Sequence, residues 1–108
     1  MREFKSGATR NDEEGKYDIE VFLSPLVIEV YAKYMHKHRL QSDGKLRASD
    51  NWMKGIPKDA YIKSAFRHFV DWWKQHRKIK SEEDLQDSLC ALIFNVMGYL
   101  YETLKDKK

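Results

Sequence analysis

Apolar residues recur at helical spacing in three segments of the chain, and this pattern predicts an all-α fold. The first helix should begin at Ser24-Pro25, because serine suits the N-cap and proline suits the first helical position. Its apolar stripe consists of Val27, Val30, Tyr31 and Tyr34. The basic residues near Arg39 suit the negative end of this helix.

The second helix is predicted from about Lys58 or Asp59 to about Arg77, and the third from Ser81 onward. The apolar stripe of the second helix consists of Ile62, Phe66, Phe69 and Trp73. From Leu89 to Tyr101 the third helix is apolar on almost every side, which is typical of a helix that is covered on most sides. Three helices cannot surround it, so we expect either dimerisation or a further short helix within residues 40–57.

The organisation along the chain is that of one small domain with a polar extension. Residues 1–16 are polar and contain two glycines, so we expect a mobile N-terminal arm, followed by a single all-α domain over residues 17–108. Residues 40–57 hold Gly44, Gly55 and Pro57 and form a long loop between the first two helices. Long loops in small domains are often functional.

Composition narrows the classes of partner. Charged residues make up 34% of the 108 positions, yet the net charge is only +3, so strong binding to nucleic acid is not expected. A local basic patch for a small anion remains compatible with these totals. The lone Cys90 excludes an internal disulfide, and the sequence shows neither a secretory signal nor an apolar segment long enough to cross a membrane. We therefore expect a cytoplasmic protein.

Two pairs of residues at three-residue spacing could bind a metal ion. Asp84 and Asp87 share one face of the third helix, and that face continues as a stripe of small and polar residues, Ala91, Asn95 and Gly98. His68 and Asp71 share one face of the second helix. If the two helices pack antiparallel, the pairs face each other and could hold Mg²⁺ or Mn²⁺ for attack of water on a phosphate. Structural roles stay open as well: Asp84 could cap its helix, and Asp71 could pair with Arg67.

Basic and aromatic residues around the long loop suit a nucleotide. Phosphates could be bound by Lys33, Arg39, Lys54 and Arg67. Asn51 and Trp52 could contact the base or sugar, although Trp52 could equally be a hydrophobic side chain packed against the helices. Asn95 lies within an apolar helix, where it either bonds another helix or contacts a ligand. The motifs of P-loop, Rossmann and nucleophile-elbow enzymes are absent from the sequence.

A series of short motifs resembles the phage-encoded dATP/dGTP diphosphohydrolase N-terminal family, relatives of the MazG all-α nucleotide pyrophosphatases. Its most specific parts are N-W-x-K-G-I-P within residues 49–57 and S-A-x-R-H at residues 64–68. The remaining parts are residues 6–10, 15–18, 23–25, 34–39 and 89–95. The resemblance implies a MazG-like helical bundle whose core is completed by oligomerisation, as a dimer or tetramer. It also implies Mg²⁺- or Mn²⁺-dependent cleavage of a deoxynucleoside triphosphate into a monophosphate and pyrophosphate.

The resemblance also implies which acids would hold the metal. In the wider MazG group these are E-x-x-E on one helix and E-x-x-D on a later one. Asp84-x-x-Asp87 is similar to the later motif, but the first helix offers only Glu29 with His36. Either these two share the task, or His68 and Asp71 replace the missing motif, or catalysis is lost.

Three hypotheses follow from these observations. The first is a metal-dependent pyrophosphohydrolase of dGTP or dATP. Its catalytic candidates are His68, Asp71, Asp84 and Asp87, and its candidate metal ligands are Glu29, Asp71, Asp84 and Asp87. The second is a nucleotide-binding module without catalysis on the same scaffold, and the third is a helical interaction protein.

Overall fold

The computed structural model describes residues 2–11 and 15–107. A hairpin of β1 (Arg2–Glu3) and β2 (Thr9–Arg10) precedes the short helix α1 (Ile19–Phe22) and the helix α2 (Pro25–Lys37). A 3-10 helix (Asn51–Lys54) then leads to α3 (Lys58–His76) and α4 (Leu85–Lys105). The predicted all-α fold is therefore confirmed. The predicted arm contains the hairpin, while its residues 12–14 lie outside the described residues.

The start of α2 follows the sequence prediction. The Ser24 side chain accepts a hydrogen bond from the Val27 amide at 3.3 Å, and Pro25 occupies the first helical turn. Basic residues occupy the last turn, where they suit the helix dipole. The helix gives way to a hairpin-like loop in which Leu40 and Leu46 form an isolated antiparallel bridge.

The helices α3 and α4 form an antiparallel pair. Lys58 at the start of α3 lies 2.8 Å from Asp106, which caps the end of α4. The prediction that the third helix begins at Ser81 was wrong, because α4 begins at Leu85 with Asp84 at the N-cap position. The Ser81 hydroxyl donates instead to Asp71 at 2.9 Å. It thus bonds the segment between α3 and α4 to α3 and does not cap α4.

The face of α3 that meets α4 is not its apolar stripe. Ser64 accepts a hydrogen bond from Asn95, and Gln75 donates one to Ser88, so this polar face is turned toward α4. The predicted stripe is 45–65% exposed, and it consists of Ile62, Phe66, Phe69 and Trp73. Paired polar groups occupy the contact between the helices, and the apolar stripe is left outside it.

The face of α4 that meets α3 combines small and polar residues. Ser88, Cys90, Ala91, Asn95 and Gly98 are buried. By contrast, apolar residues on its other sides, such as Val96 and Leu100, are more than half exposed. The predicted small and polar stripe through Ala91, Asn95 and Gly98 is thus the contact face, while much of the apolar surface of α4 is left uncovered.

The single chain is extended and has a small core. Its radius of gyration is 19.1 Å, whereas a compact domain of this length is expected near ~13 Å. Among the described residues, the fully buried apolar side chains are Tyr61, Cys90 and Ala91. None of the helices described could reach across a membrane on length and apolar character.

Candidate functional site

A cleft of about 900 Å³ lies between α2, the loop that follows it, and the α3–α4 pair. Its polar wall includes Arg39, Arg47, Asn51, His68, Glu83 and Asn95. Its aromatic wall includes Tyr31, Tyr34, Trp52 and Phe94. Cationic, aromatic and acidic groups from four parts of the chain therefore meet in one cavity large enough for a nucleotide.

The loop after α2 presents two arginines at the cleft. The Arg47 amide donates to the Arg39 carbonyl at 2.8 Å, which closes the loop into a hairpin. The Arg39 Nε atom donates to the Arg47 carbonyl at 2.7 Å, and an Arg47 terminal nitrogen donates to the His38 carbonyl at 3.2 Å. Each guanidinium has five N–H donors, so most of them stay free for an anion.

Trp52 packs against α4 and also lines the cleft. Its ring centroid lies 4.8 Å from that of Tyr101 and 6.4 Å from that of Phe94, and both contacts are edge-on. These contacts fix the indole against α4. The structural role considered for Trp52 is thus present, and its position in the cleft wall leaves ring surface available to a ligand.

His68, Asp71 and Glu83 form a cluster at the border of the cleft: His68 and Glu83 line the cleft, whereas Asp71 lines a neighbouring pocket. One potential ligand atom from each residue lies within 4.8 Å of the other two. His68 Nδ1 is 2.7 Å from Glu83 Oε1, and both side chains are about a quarter exposed, at 22% and 26%. Because α3 contributes the first two residues and the connection to α4 the third, the cluster depends on the antiparallel pairing.

Buried hydroxyl groups orient the acids of this cluster. The Ser88 hydroxyl, which is fully buried, donates to Glu83 Oε1 at 2.8 Å and accepts from Gln75 at 3.3 Å. The Ser81 hydroxyl donates to Asp71 at 2.9 Å. Such outer hydrogen bonds are typical of residues that orient metal ligands. One imidazole and two carboxylates, supported in this way, fit a divalent cation.

The other predicted metal ligands lie in different surroundings. Asp84 and Asp87 line a neighbouring acidic pocket of about 830 Å³, which also includes Asp71 and Glu83. Both carboxylate oxygens of Asp87 accept hydrogen bonds from the Lys37 ammonium, at 2.8 and 2.9 Å. Glu29 is exposed on α2 beside Lys33 at 3.6 Å, and the structure does not bring it to the cluster.

Sequence reasoning missed Glu83 and the residues that orient it. Glu83 belongs to no helix and matches no spaced motif, so the pattern of helical faces could not identify it. One signal was available: the short connection from α3 to α4 must return an acidic Glu82-Glu83 pair past the last turns of α3, where Asp71 lies. Ser88 gave no signal, because a serine within a helix has no distinctive pattern.

The predicted substrate-binding residues fall into two groups. Arg39, Asn51, Trp52 and Asn95 all line the cleft. Lys33, Lys54 and Arg67 are exposed and line neither the cleft nor the acidic pocket. Arg47 also lines the cleft, although it was not among the predicted phosphate-binding residues.

Two phenols in the cleft wall are held in the neutral form. Burial raises the pKa of Tyr31 to about 12, and the nearby Cys90 adds to the shift. Burial raises the pKa of Tyr34 to about 12 as well, assisted by Glu83 and Asp87. A phenol of ordinary pKa is already uncharged at neutral pH, so the shift extends the neutral form of both side chains into alkaline solution.

Comparison with known proteins gave one match. The sequence model of the family described as dATP/dGTP diphosphohydrolase, N-terminal, matches residues 6–108. No curated protein matches the chain, and no solved structure matches it either.

Proposed function

Because the chain belongs to the dATP/dGTP diphosphohydrolase N-terminal family, we propose that it is a metal-dependent pyrophosphohydrolase of purine deoxynucleoside triphosphates. The products would be a deoxynucleoside monophosphate and pyrophosphate. The observation that supports this most is the cleft in which two arginines and an aromatic wall lie beside the His68–Asp71–Glu83 cluster, whose His68 and Glu83 line the same cleft. These are the three kinds of group that a triphosphate, a base and a cation require.

The arginines of the loop would bind the phosphates. Arg39 and Arg47 are fixed by bonds to backbone carbonyls, so little side-chain freedom is lost when an anion binds. A guanidinium can donate two parallel hydrogen bonds to a phosphate, which orients the chain of phosphates as well as attracting it. Lys33, Lys54 and Arg67 would act only through the general positive field.

The acidic cluster would hold the divalent cation that the family implies. His68, Asp71 and Glu83 are the ligands that the geometry favours, and the predicted Asp84 and Asp87 border the same region. A bound Mg²⁺ or Mn²⁺ would neutralise negative charge on the phosphates and lower the pKa of a water molecule bound to it. In the proposed reaction, a bond forms between a water oxygen and the α-phosphorus, and the bond from that phosphorus to the oxygen bridging the α- and β-phosphates breaks. That oxygen leaves with pyrophosphate and becomes one of its terminal oxygens.

A nucleotide-binding module without catalysis is the second candidate. One observation favours it: Glu29, the nearest match to the first acidic motif of the MazG group, pairs with Lys33 on the exposed side of α2. In that case Arg39, Arg47 and Trp52 would still bind a nucleotide, but no pyrophosphate would be released.

We also propose that the active form is a homo-oligomer. The radius of gyration of 19.1 Å is well above the ~13 Å expected for a compact chain of this length. The apolar stripe of α3 and the outer sides of α4 are uncovered in the single chain. Exposed apolar surface on this scale is unusual for a monomer and typical of an interface between subunits.

Incubation with each deoxynucleoside triphosphate and Mg²⁺ or Mn²⁺, followed by assay of pyrophosphate, tests the proposed activity. We expect release from dGTP or dATP, and a loss of at least ~100-fold in Glu83→Gln, which removes one charge from the cation cluster. The matched control is Glu29→Gln, an equal change on exposed α2, which should keep its activity. If no nucleotide gives pyrophosphate but nucleotides raise the melting temperature, the binding module is the better description.

A loss in Glu29→Gln with full activity in Glu83→Gln would contradict the assignment of the cation ligands. That outcome would favour the acids predicted from the family motif over the cluster found in the fold.

A further inference from the structure

Asn95 is a buried amide whose orientation is determined by its neighbours. It is 4% exposed, and its Nδ2 atom donates to the Ala91 carbonyl at 2.8 Å and to the Ser64 hydroxyl at 3.1 Å. A carbonyl oxygen can only accept, so the nitrogen must be the atom that faces Ala91. Both amide protons are thereby used, and the Oδ1 atom is turned away from these partners.

The Oδ1 atom of Asn95 has no hydrogen-bond donor among the described residues. This oxygen is not completely buried, however. In the described part of the chain, the completely buried side-chain polar atoms without a partner are the Tyr31 and Tyr61 hydroxyls. Since Asn95 lines the cleft, its oxygen is the part of the amide that a ligand can reach. An acceptor in such a place favours a ligand that brings an N–H or O–H group.

The surroundings of Asn95 identify which part of a nucleotide would lie there. Phosphate oxygens are acceptors and cannot bond to Oδ1, and the cleft arginines offer them a better site. Phe94 is adjacent in sequence, and Trp52 contacts Phe94 edge-on at 6.4 Å, so flat apolar surface borders the amide. A base stacks on such a surface and can present an amino group at its edge.

We propose that Asn95 Oδ1 accepts a hydrogen bond from the exocyclic amino group of the base, so that the cleft selects aminopurines over purines that lack this group. This rests on the proposed function in that the ligand is a nucleotide. Ser64 acts as the positioning residue, because its hydroxyl holds the amide in the orientation that presents oxygen to the cleft. A site built to bond a donor rejects an analogue without it, since the buried acceptor is left unpaired.

Binding of matched nucleotide pairs tests this proposal independently of turnover. The probes are α,β-methylene triphosphates, which resist cleavage, of deoxyguanosine and deoxyinosine and of deoxyadenosine and deoxynebularine. Within each pair the second member lacks only the amino group. We expect the amino member of at least one pair to bind tenfold or more tightly by calorimetry, and we expect Asn95→Leu to abolish this preference.

The control variant is Gln86→Leu, which removes an exposed amide of the same helix outside the cleft and should keep the preference. Equal binding within both pairs by the unaltered chain overturns the proposal, and so does a preference that persists in Asn95→Leu. The comparison within the unaltered chain decides the matter even if Asn95→Leu does not fold. Failure of all four probes to bind would instead overturn the proposed nucleotide function itself.

Discussion

The contact between Gly98 and Tyr61 offers a sharp test of the helix pairing on which the cleft is built. Tyr61 on α3 is 1% exposed, and its ring lies directly over Gly98 on α4. A Cβ atom at position 98 would overlap Cε1, Cζ and Oη of the tyrosine, closer than van der Waals contact allows. We therefore expect Gly98→Ala to destabilise the chain, although alanine is the better helix former.

The expected size follows from two opposed effects. Replacing glycine by alanine within a helix stabilises by about 1 kcal/mol, whereas overpacking a buried contact costs about 1–3 kcal/mol. The overlap involves ring atoms of a buried side chain rather than a flexible end, so the upper part of that range applies. The net loss should be about 1–2 kcal/mol in the free energy of unfolding.

Urea denaturation followed by far-ultraviolet circular dichroism, at one fixed protein concentration, measures this loss. Tyr61→Leu lacks all three clashing atoms, and in that background Gly98→Ala should instead stabilise by about 1 kcal/mol. The sign of the effect thus reverses, with a coupling of about 2–3 kcal/mol. Stabilisation by Gly98→Ala in the unaltered chain, or an equal loss in both backgrounds, would refute the packing argument.

Two further predictions concern pH and assembly. In the folded chain the pKa values of Tyr31 and Tyr34 are about 12, whereas an ordinary tyrosine has a pKa of 10.0. As the pH rises, these tyrosines therefore ionise first in the unfolded chain, which stabilises the unfolded state. The free energy of unfolding should then fall between about pH 10 and pH 12. Unfolding curves at several pH values check this, and a flat stability across that window would contradict it. Phe66 is 65% exposed in the apolar stripe of α3, which we propose as the subunit interface. A charge at this position should break up the oligomer, so Phe66→Lys should lower the molar mass of the assembly measured by sedimentation equilibrium. The control Lys63→Gln on the same helix should leave that mass unchanged. An unchanged mass in Phe66→Lys would place the subunit interface elsewhere.

Helix existence could be predicted from sequence because capping and periodicity are local properties. Ser24-Pro25 gave the start of α2 correctly, and Lys58 gave the start of α3. Ser81 misled the prediction for α4, because its hydroxyl has a tertiary partner, Asp71, that local rules cannot anticipate. The short helix α1 at Ile19–Phe22 was not predicted, since four residues are too few to show a period.

The direction in which each helix faces could be predicted only in part. The small and polar stripe of α4 was recognised as a distinct face, and it does contact α3. The apolar stripe of α3 is exposed in the single chain, and we propose that it packs between subunits. A sequence whose buried surface forms between subunits gives the same periodic pattern as one whose core is internal.

Only part of the candidate site could be predicted from the spacing of residues along the sequence. His68 and Asp71 share a helical face, so their proximity follows from the period of the helix. Glu83 joins them through the pairing of α3 with α4, and Arg39 and Arg47 meet through the hairpin between them. Contacts of these kinds depend on tertiary geometry and leave no periodic trace in the sequence.

The arrangement of the cleft argues that binding and catalysis are separable in this fold. The arginines and Trp52 are held by contacts that do not involve the acids: backbone carbonyls fix the former, and Tyr101 and Phe94 fix the latter. The acids in turn are oriented by Ser81 and Ser88, whose hydroxyls donate to Asp71 and Glu83. Under the proposed function, we expect loss of one acid to leave nucleotide binding intact, with Asn95, bonded to both α3 and its own helix, still selecting the base. Both proposed functions, hydrolysis and binding without catalysis, are compatible with this arrangement, and we expect the charge at Glu83 to decide between them.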